Sequence, residues 1–339
     1  MKIAIDCRYL SHGETGRLLE SILLHLNFFE NTYFLIGKKD NIERYQGAYY
    51  VYDDTNPNDI NKMFKISAKT VNMCDAFFTP SFIVPKGIRC RVISIIPNMM
   101  WYEHSELLKS KLDLFHKHSI IRRCLKHSYK VITMTYYMKN VIIKYFGKNI
   151  GQKVIVRKPG VSFKLKENFD NSNKKGYVMY TGNFKKMSGI ETILEAMTSL
   201  KNLDLLILGR RNKFKSDRPD LVKYLDYPNI TFTDTISNKE LITKIQQAKF
   251  LVIPSLYAGF SMSALEALNL GTKVIISDIE TYKEMFKDAP VDFFKSGDSK
   301  DLINSLIVAS PSFKLNEDFN EEYNGQAFAD SILSELERK

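Results

Sequence analysis

The sequence has 339 residues, of which 44% are hydrophobic and 26% charged, a composition typical of globular proteins that excludes a disordered chain. This length exceeds what one hydrophobic core usually supports, so two domains of about 150 residues each are expected. The net charge of +11 is compatible with an anionic partner, and no apolar run approaches the roughly 18 to 20 residues that a membrane span needs.

The cysteines and the first residues predict the compartment. Four cysteines are far apart in the sequence and form no Cys-x-x-Cys pair. The apolar part of MKIAIDC (1–7) is far shorter than the core of a signal peptide. We therefore expect a reduced, cytoplasmic protein that is either soluble or peripheral on the inner face of the cell membrane.

The first half of the chain alternates short apolar runs with stretches of helical period. Six runs rich in Val, Ile, Phe and Tyr are predicted as strands: IAIDC (3–7), YFLIG (33–37), AYYVYD (48–53), AFFTP (76–80), RVISII (91–96) and KVITMT (130–135). ETGRLLESILLHLNFF (14–29) has helical period, and the segment SHGETGR (11–17) is interpreted as a loop between the first strand and the helix RLLESILLHL. Its Gly13 and Gly16 would let a ligand approach the backbone, although a plain turn would look the same.

Most of the positive charge lies in residues 101–170, which contain 15 Lys and Arg against 5 Asp and Glu. Residues 1–100 contain 12 against 10, and residues 171–339 contain 22 against 23. In HKHSIIRRCLKHSYK (116–130) and MKNVIIKYFGKNIGQK (138–153), apolar pairs alternate with basic residues, which suits an anionic membrane surface. A solvated helix face explains the pattern equally well. Nucleic acid is not expected, because no nucleic-acid-binding motif accompanies the charge.

The alternation restarts after the polar stretch KENFDNSNKKG (166–176). Five further strands are predicted: YVMYTG (177–182), LDLLILG (203–209), NITFTD (229–234), KFLVIPS (249–255) and KVIISD (273–278). Ser237 and Glu240 are spaced as a capping box that begins a helix. The tail EEYNGQAFADSILSELERK (321–339) has the period of one helix.

The predicted fold is α/β, with two Rossmann-like parallel-sheet domains facing across a cleft. Residues 1–168 form the N-terminal domain and residues 169–318 the C-terminal domain. Residues 319–339 form a C-terminal helix, and one alternative is that it packs back on the N-terminal domain.

Three loops in the second half follow predicted strands: YTGN (180–183), ILGRR (207–211) and PSLYAGFS (254–261). Because parallel strands end at one edge of their sheet, these loops are expected to converge on one crevice, where helix N-termini bind phosphate. The cations beside the first two loops are Lys185, Lys186, Arg210 and Arg211. Arginine and lysine both bind phosphate, and solvated loop charges are the alternative, more so for the two lysines.

Metal and nucleophile motifs are not found in the sequence. The six histidines form no His-Glu-x-x-His pattern and no Cys/His pair at ligand spacing. There is also no Walker loop and no Gly-x-Ser-x-Gly elbow. We therefore expect no metal and no cofactor.

Taken together, these segments resemble the retaining, two-Rossmann (GT-B) glycosyltransferases of family four over nearly the whole chain. YTGNFKKMSGIETILEAM (180–197) looks like the first strand, loop and helix of the family's C-terminal domain. PSLYAGFSMSALEALNLGTKVIISD (254–278) is similar to the family's signature of two glutamates eight positions apart, with Glu266 as the second, and Glu284 is the further glutamate usual after it. KVIVRKPGVS (153–162) resembles the strand and turn before the interdomain linker.

The sequence departs from the family pattern at three places. Ala258 stands where the first signature glutamate, which contacts the donor sugar, is usual. Asn183 and Ser188 stand where the family often has an arginine and a lysine facing the diphosphate. Pro97 and Asn98 replace a His-Asp pair in the N-terminal domain, and Asn98 can bind a hydroxyl without carrying charge.

The resemblance implies metal-independent transfer of a sugar from a UDP- or GDP-sugar to a lipid-linked or polysaccharide acceptor, with retention of configuration, in the synthesis of cell-surface glycans such as lipopolysaccharide or capsule. It implies catalytic roles for Asn98, Arg210 and Lys186, and binding of the ribose hydroxyls by Glu266. The donor-binding positions are Gly16, Gly182, Asn183, Lys185, Gly209, Arg211, Ile236, Ala258, Gly259, Phe260, Ser261 and Glu266. The departures leave open a second function, a catalytically weakened relative that is a partner or scaffold subunit of another transferase.

Overall fold

The computed structural model describes residues 1–10, 12–57, 59, 64–108, 110–161, 174–233, 236–315 and 317–337. Their strands are β1 (Lys2–Asp6), β2 (Thr32–Gly37), β3 (Tyr49–Tyr52), β4 (Ala76–Thr79), β5 (Arg91–Ile95), β6 (Lys130–Thr133), β7 (Val154–Val156), β8 (Val178–Thr181), β9 (Leu205–Leu208), β10 (Ile230–Thr233), β11 (Phe250–Ile253), β12 (Lys273–Ser277) and β13 (Asp292–Phe294). Their α-helices are α1 (Gly13–Leu24), α2 (Lys39–Ile42), α3 (Ala68–Val71), α4 (Met100–Glu103), α5 (Lys111–His127), α6 (Tyr136–Phe146), α7 (Ile190–Ser199), α8 (Arg211–Asp217), α9 (Asn238–Gln247), α10 (Met262–Asn269), α11 (Glu280–Met285), α12 (Ser299–Val308), α13 (Glu317–Glu322) and α14 (Gly325–Glu337).

The chain divides into two units. Unit 1 contains Met1–Ser162 and Glu322–Lys339, and unit 2 contains Phe163–Glu321. Helix α14 therefore belongs to unit 1 although it is the last element of the sequence. The predicted boundary at residues 168/169 lies outside the described residues.

Unit 1 is built on a sheet of seven parallel strands in the order β3-β2-β1-β4-β5-β6-β7. The six strands predicted from apolar runs are confirmed, each within two residues of its predicted ends. Strand β4 is buried at every position. Burial on both faces is the reason that such strands appear in the sequence as unbroken apolar runs.

Unit 2 is built on a sheet of six parallel strands in the order β10-β9-β8-β11-β12-β13. The five predicted strands are confirmed, and β13 is an additional edge strand that pairs with β12. Its three residues are too few to form a recognisable apolar run, and two of them are not buried. Helices α7 and α12 pack together over this sheet, with Ile193, Leu194 and Leu302 in the core.

The loop predicted for residues 11–17 is wrong from Gly13 onward, whereas the helical period that starts at Glu14 agrees with the start of α1 to within one residue. The helix begins at Gly13 rather than Arg17, and the N–H of Gly16 donates to the carbonyl of His12 at 3.2 Å. Glu14 in the first turn favours the earlier start, because a negative charge is stabilised at the positive end of the helix dipole. Gly16 is therefore a buried residue of the first helical turn and not part of a loop.

The tail is also not the single helix that its period predicts. It contains α13 and α14, separated by Tyr323 and Asn324. The N–H of Val161 donates to the carbonyl of Tyr323 at 3.1 Å, and the side chain of Asn324 accepts from the N–H of Ala327 at 3.0 Å. The helix is interrupted here because Asn324 forms a parallel β-bridge with Val161, which follows strand β7.

Helix α14 packs on α1 and on the β4 and β5 side of the unit 1 sheet. Its buried Glu335 accepts from Nη2 of Arg157 at 2.9 Å, which pairs the carboxylate with a cation. The guanidinium of Arg91 donates to the carbonyl of Leu336 at 3.2 Å. In the ranges that the structure describes, no helix is both long and apolar enough to cross a membrane.

Candidate functional site

The three predicted loops lie at one edge of the unit 2 sheet. They follow β8, β9 and β11, and these three strands are neighbours in the order β9-β8-β11. Because all three strands are parallel, their carboxyl ends and the loops after them share the same edge. We call this region the loop edge, and it consists of residues 182–189, 209–211 and 254–261.

Hydrogen bonds within the first loop of the edge, and from the strand before it, determine the conformation of that loop. The hydroxyl of Tyr180 donates to the carbonyl of Asn183 at 2.6 Å, and the side chain of Asn183 accepts from the N–H of Lys185 at 2.9 Å. Burial raises the pKa of Tyr180, so its hydroxyl stays protonated and keeps donating at neutral pH. The Asn183 carboxamide thus shapes the loop, while Lys185 and Lys186 are exposed beside it.

The second loop contacts the first through a phenylalanine. A Cβ built on Gly209 would lie 2.7 Å from the Phe184 ring, so a side chain at position 209 would press on it. Arg210 is the N-cap residue of α8 and Arg211 the first residue of that helix. Arg211 donates from Nη2 to the carbonyl of Leu225 at 3.2 Å, so part of its guanidinium is already engaged within unit 2.

The third loop is held to the first by main-chain contacts. The carbonyl of Met187 accepts from the N–H of Leu256 at 3.0 Å and from that of Tyr257 at 3.4 Å. Gly189, which ends the first loop, has a φ of +67° and packs against the carbonyl of Pro254. A Cβ at position 189 would overlap that oxygen, so only glycine fits.

Hydroxyl groups from the next two elements hold the other side of the third loop. The hydroxyl of Ser277 donates to the carbonyl of Ser255 at 2.6 Å, and the hydroxyl of Tyr282 donates to Oγ of Ser255 at 3.1 Å. Thr281, which is 2% exposed, donates from Oγ1 to the carbonyl of Ala258 at 2.8 Å. The loop has no regular secondary structure, so these bonds and those of Met187 fix its course.

Helix α10 follows the third loop and carries the predicted glutamate. Ser261 is its N-cap and accepts from the N–H of Ala264 at 3.1 Å, so the helix begins at Met262. All eight residues of α10 are buried, and Glu266 is the only one that is charged. Glu266 is 9% exposed. Glu266 is therefore a buried acidic residue on the helix that follows the third loop.

The remaining position of unit 2 that the sequence predicts to contact the donor follows β10. Ile236 is half-buried and directly precedes Ser237, the N-cap of α9. The predicted capping box is confirmed: Ser237 accepts from the N–H of Glu240 at 3.3 Å, and Glu240 accepts from the N–H of Ser237 at 2.9 Å. The cap fixes where the helix begins and with it the place of Ile236.

Asn98 and Gly16 lie in unit 1. Asn98 is half-buried in the loop after β5, and its Oδ1 accepts from the N–H of Met100 at 3.2 Å. This contact orients the carboxamide and uses one of the two lone pairs of its oxygen. Gly16, in the first turn of α1, belongs to the connection after β1, so both residues follow strands of the unit 1 sheet.

Several residues that shape the loop edge were not predicted. They are Met187, Gly189, Ser255, Ser277, Thr281 and Tyr282. Only Gly189 has a signal in the sequence, because a glycine that ends a helical turn, here Lys186–Ser188, is often left-handed. Among the described residues, no three His, Cys, Asp or Glu side chains come together as a metal site would require.

Replacing Thr281 tests whether its hydrogen bond to Ala258 holds the third loop in place. Thr281→Val keeps the shape of the side chain and removes the hydrogen bond to Ala258, which is expected to cost about 1 kcal/mol. Amide hydrogen exchange across residues 256–261 should become roughly fivefold faster. Thr281→Ser, which keeps the hydroxyl, is the control and should exchange as the wild type does. Equal protection in the valine and serine variants would show that this bond does not hold the loop.

Comparisons with known proteins relate the chain to one family and to several solved structures. Residues 162–323 match the family described as "Glycosyl transferases group 1". The uncharacterized glycosyltransferase MJ1178 of Methanocaldococcus jannaschii is 22% identical over 277 residues, which are 79% of this chain and 72% of the relative. The O-antigen chain mannosyltransferase RfbU of Salmonella typhimurium is 27% identical over 168 residues, which are 49% of this chain and 45% of the relative.

Solved structures share the fold. Sucrose-phosphate synthase of Thermosynechococcus elongatus superposes with a TM-score of 0.77 at 17% identity and covers 98% of both chains. Anabaena HepE in complex with UDP and glucose superposes with a TM-score of 0.70 at 12% identity, over 99% of this chain and 95% of that chain. The two parallel-sheet α/β domains of this chain match the fold of GT-B structures.

Proposed function

We propose, from the group 1 glycosyltransferase match and the GT-B fold, that this chain transfers a sugar with retention of configuration from a UDP- or GDP-sugar to a lipid-linked or polysaccharide acceptor. The acceptor class is supported by RfbU, which is an O-antigen chain mannosyltransferase. A nucleotide donor is supported by Anabaena HepE, whose structure contains UDP and glucose. The reaction would contribute to a cell-surface glycan on the cytoplasmic side of the membrane.

The observation that carries this proposal is the loop edge with a buried glutamate behind it. Three loops with two exposed lysines and two arginines lie beside the N-terminus of α10. A diphosphate placed there would meet the positive end of the helix dipole, N–H groups of Gly259, Phe260 and Ser261, and the side chains of Arg210 and Lys186. Glu266 on the same helix would accept hydrogen bonds from the ribose hydroxyls.

The further donor contacts are main-chain groups and short side chains. Gly182, Asn183, Lys185, Gly209 and Arg211 would surround the diphosphate from the first two loops. Ile236 would contact the base, and Ala258 would leave room for the sugar. Preorganised dipoles of this kind need no metal to stabilise the leaving group.

The reaction would proceed by attack of the acceptor hydroxyl on the anomeric carbon. The bond from that carbon to the donor phosphate oxygen breaks, and the nucleoside diphosphate leaves with the bonding electron pair. The proton of the acceptor hydroxyl passes to the departing phosphate oxygen, so no carboxylate base is required. Asn98 would orient a hydroxyl through its amide group, since its Oδ1 is engaged by Met100.

A panel of nucleotides tests this function. Calorimetry with UDP, GDP, ADP and TDP should show micromolar binding of at least one diphosphate, and the corresponding nucleotide sugar should be hydrolysed slowly without acceptor. Binding without any hydrolysis or transfer would contradict an enzyme. Absence of binding to all four would contradict a donor site at the loop edge.

A second candidate function is a scaffold subunit related to glycosyltransferases. It is favoured by Ala258, because alanine has no carboxylate that could bind the donor sugar. It is also favoured by Asn183, whose side chain accepts a hydrogen bond from Lys185 within the same loop. Pro97 likewise replaces a residue that could titrate. This function predicts that no nucleotide binds, so the same calorimetric panel separates the two functions.

A further inference from the structure

Ser255, near the start of the third loop, has a main chain that two neighbouring strands hold in place. Its carbonyl accepts from the hydroxyl of Ser277 at 2.6 Å and from the hydroxyl of Ser296 at 3.3 Å. Ser277 is the last residue of β12, and Ser296 follows β13 in the same sheet. Ser255 itself is half-buried, so its position is fixed while part of its surface is open to a ligand.

A buried tyrosine orients the side chain of Ser255. The hydroxyl of Tyr282 donates to Oγ of Ser255 at 3.1 Å, and Tyr282 is 2% exposed. Tyr282 lies on α11, and its ring packs edge-on against the buried Phe286, with 6.2 Å between the ring centres. Because the ring is packed in the interior of unit 2, the phenol presents its hydroxyl to Ser255 in one fixed place.

The hydrogen atom of the Ser255 hydroxyl remains for another acceptor. A serine hydroxyl donates one hydrogen bond and can accept two. In the part of the chain that the structure describes, the side chain of Ser255 makes one hydrogen bond, and it accepts that bond from Tyr282. A hydroxyl that accepts a hydrogen bond becomes a stronger donor, because chained hydrogen bonds polarise one another. Ser255 is thus prepared to donate to an oxygen atom of a ligand.

The third loop has few other polar side chains. Its sequence, PSLYAGFS (254–261), contains no charged residue. Ser261 uses its Oγ to cap α10, and Ala258 has no polar side-chain atom. Apart from Tyr257, Ser255 is therefore the residue of this loop that has a side-chain hydroxyl outside the helix cap. Recognition of a sugar by the side chains of this loop would depend on neutral hydroxyls and not on a carboxylate.

A hydroxyl donor of this kind suits a neutral sugar. The oxygen of a sugar hydroxyl accepts hydrogen bonds, and it carries no charge that would require a cation. A site built to bind a substrate hydroxyl strongly rejects an analogue that lacks it, because the polar group of the site is then left unpaired. The pair Tyr282 and Ser255 is therefore suited to select a donor by one hydroxyl of its sugar.

We propose that Ser255 contacts the sugar of the nucleotide donor and that Tyr282 is its positioning residue. Tyr282 donates to Ser255, and Ser255 donates to a hydroxyl oxygen of a neutral hexose. The inference rests on the proposed function, because it needs a nucleotide sugar at the loop edge. It deepens that function by assigning recognition of the sugar to two hydroxyls, separate from the cations and N–H groups that would bind the diphosphate.

Two affinities, measured by calorimetry on the full-length chain, test the proposal. The probes are UDP with UDP-glucose, UDP-galactose and UDP-N-acetylglucosamine, and GDP with GDP-mannose. Ser255→Ala should weaken binding of the tightest nucleotide sugar about fivefold and leave the affinity for its nucleoside diphosphate unchanged. Tyr282→Phe removes only the hydroxyl that orients Ser255 and should weaken binding of the same nucleotide sugar roughly two- to threefold. Ser255→Thr keeps a hydroxyl and should retain most of the affinity.

Tyr177→Phe is the matched control for Tyr282→Phe. The hydroxyl of Tyr177 donates to the carbonyl of Lys244 at 2.6 Å. Tyr177 directly precedes β8, so it lies at the edge of the unit 2 sheet opposite to the loop edge. This variant also loses one hydrogen bond of a tyrosine hydroxyl in unit 2, and it should keep both affinities. Among singly deoxygenated analogues of the nucleotide sugar, the one that lacks the contacted hydroxyl should bind the wild type and Ser255→Ala equally.

The outcomes separate this inference from the proposed function. Equal losses for the nucleotide sugar and the nucleoside diphosphate in Ser255→Ala would show that Ser255 only holds the loop, and would overturn the inference. Unchanged affinity of Ser255→Ala for every nucleotide sugar would overturn it as well and leave the nucleotide site intact. If the wild type binds neither nucleoside diphosphate and none of the nucleotide sugars, the proposed function fails, and the inference fails with it.

Discussion

Glu266→Gln is expected to weaken binding of the nucleoside diphosphate by roughly 10- to 150-fold. Glutamine has nearly the same shape, so the packing of α10 is kept. The substitution removes the charge and one of the two acceptor oxygens that would bind the ribose hydroxyls. A hydrogen bond to a charged group contributes about 1.5 to 3 kcal/mol, which corresponds to this range. Isothermal titration calorimetry with the best diphosphate of the panel measures the effect directly.

The control for Glu266 is a glutamate outside the loop edge. Glu195 is half-buried on α7, a helix of the same unit, and Glu195→Gln should leave the affinity unchanged. Thermal unfolding without ligand shows whether either variant disturbs the fold. Wild-type affinity in a folded Glu266→Gln variant would remove Glu266 from the nucleotide site, even if other loop residues remain in it.

Prediction of the sheets from the sequence succeeded for a physical reason. Central parallel strands such as β4 and β11 are buried at every position, and burial on both faces demands unbroken apolar runs. The edge strand β13 is different because it pairs with a strand on one side only, and two of its three residues are not buried. Its sequence needs only partial burial, so the apolar run is too short to recognise.

The two errors in the helices have a different origin. Helix α1 includes two glycines in its first turn, where Glu14 favours the helix, and glycines in the sequence are more typical of a loop. The tail helix is interrupted by a contact with Val161, more than 160 residues earlier in the chain. Local period cannot reveal a partner that distant, and tertiary contact overrides the helical preference.

The sequence predicted the three loops of the candidate site but not the hydrogen bonds that hold the third loop in place. Strand ends and glycines mark the three loops, and the parallel topology brings them to one edge. Thr281 and Ala258 are 23 residues apart in the sequence and become neighbours only because β11 pairs with β12. A threonine hydroxyl that donates to a carbonyl has no sequence signature, so the structure was needed to find it.

Gly189→Ala is expected to destabilise unit 2 by about 2 to 5 kcal/mol and to abolish nucleotide binding. The backbone of Gly189 is left-handed, which costs a residue with a Cβ about 1 to 2 kcal/mol. The added methyl group also overlaps the carbonyl of Pro254, and overpacking typically costs about 1 to 3 kcal/mol more. Relief of that overlap would separate the first loop from the third.

Gly176→Ala is the matched control, because it separates backbone strain from overlap. Gly176 has a φ of +77°, and no atom lies within 4 Å of a Cβ built on it. Alanine at position 176 should therefore cost only the backbone strain and leave nucleotide affinity unchanged. If Gly189→Ala were no more destabilising than Gly176→Ala, close packing on Pro254 would not be what holds the two loops together.

The position of the only tryptophan makes the measurement selective. Trp101 is in unit 1, so its fluorescence during urea unfolding follows that unit, whereas amide exchange of β8 and β11 follows unit 2. Gly189→Ala should accelerate exchange in β8 and β11 and leave the fluorescence midpoint near that of the wild type. A shifted fluorescence midpoint would contradict a local effect. Since Gly189 contacts Pro254 and Met187 bonds to the third loop, loss of this packing would disorder the proposed donor site before it unfolds the sheet.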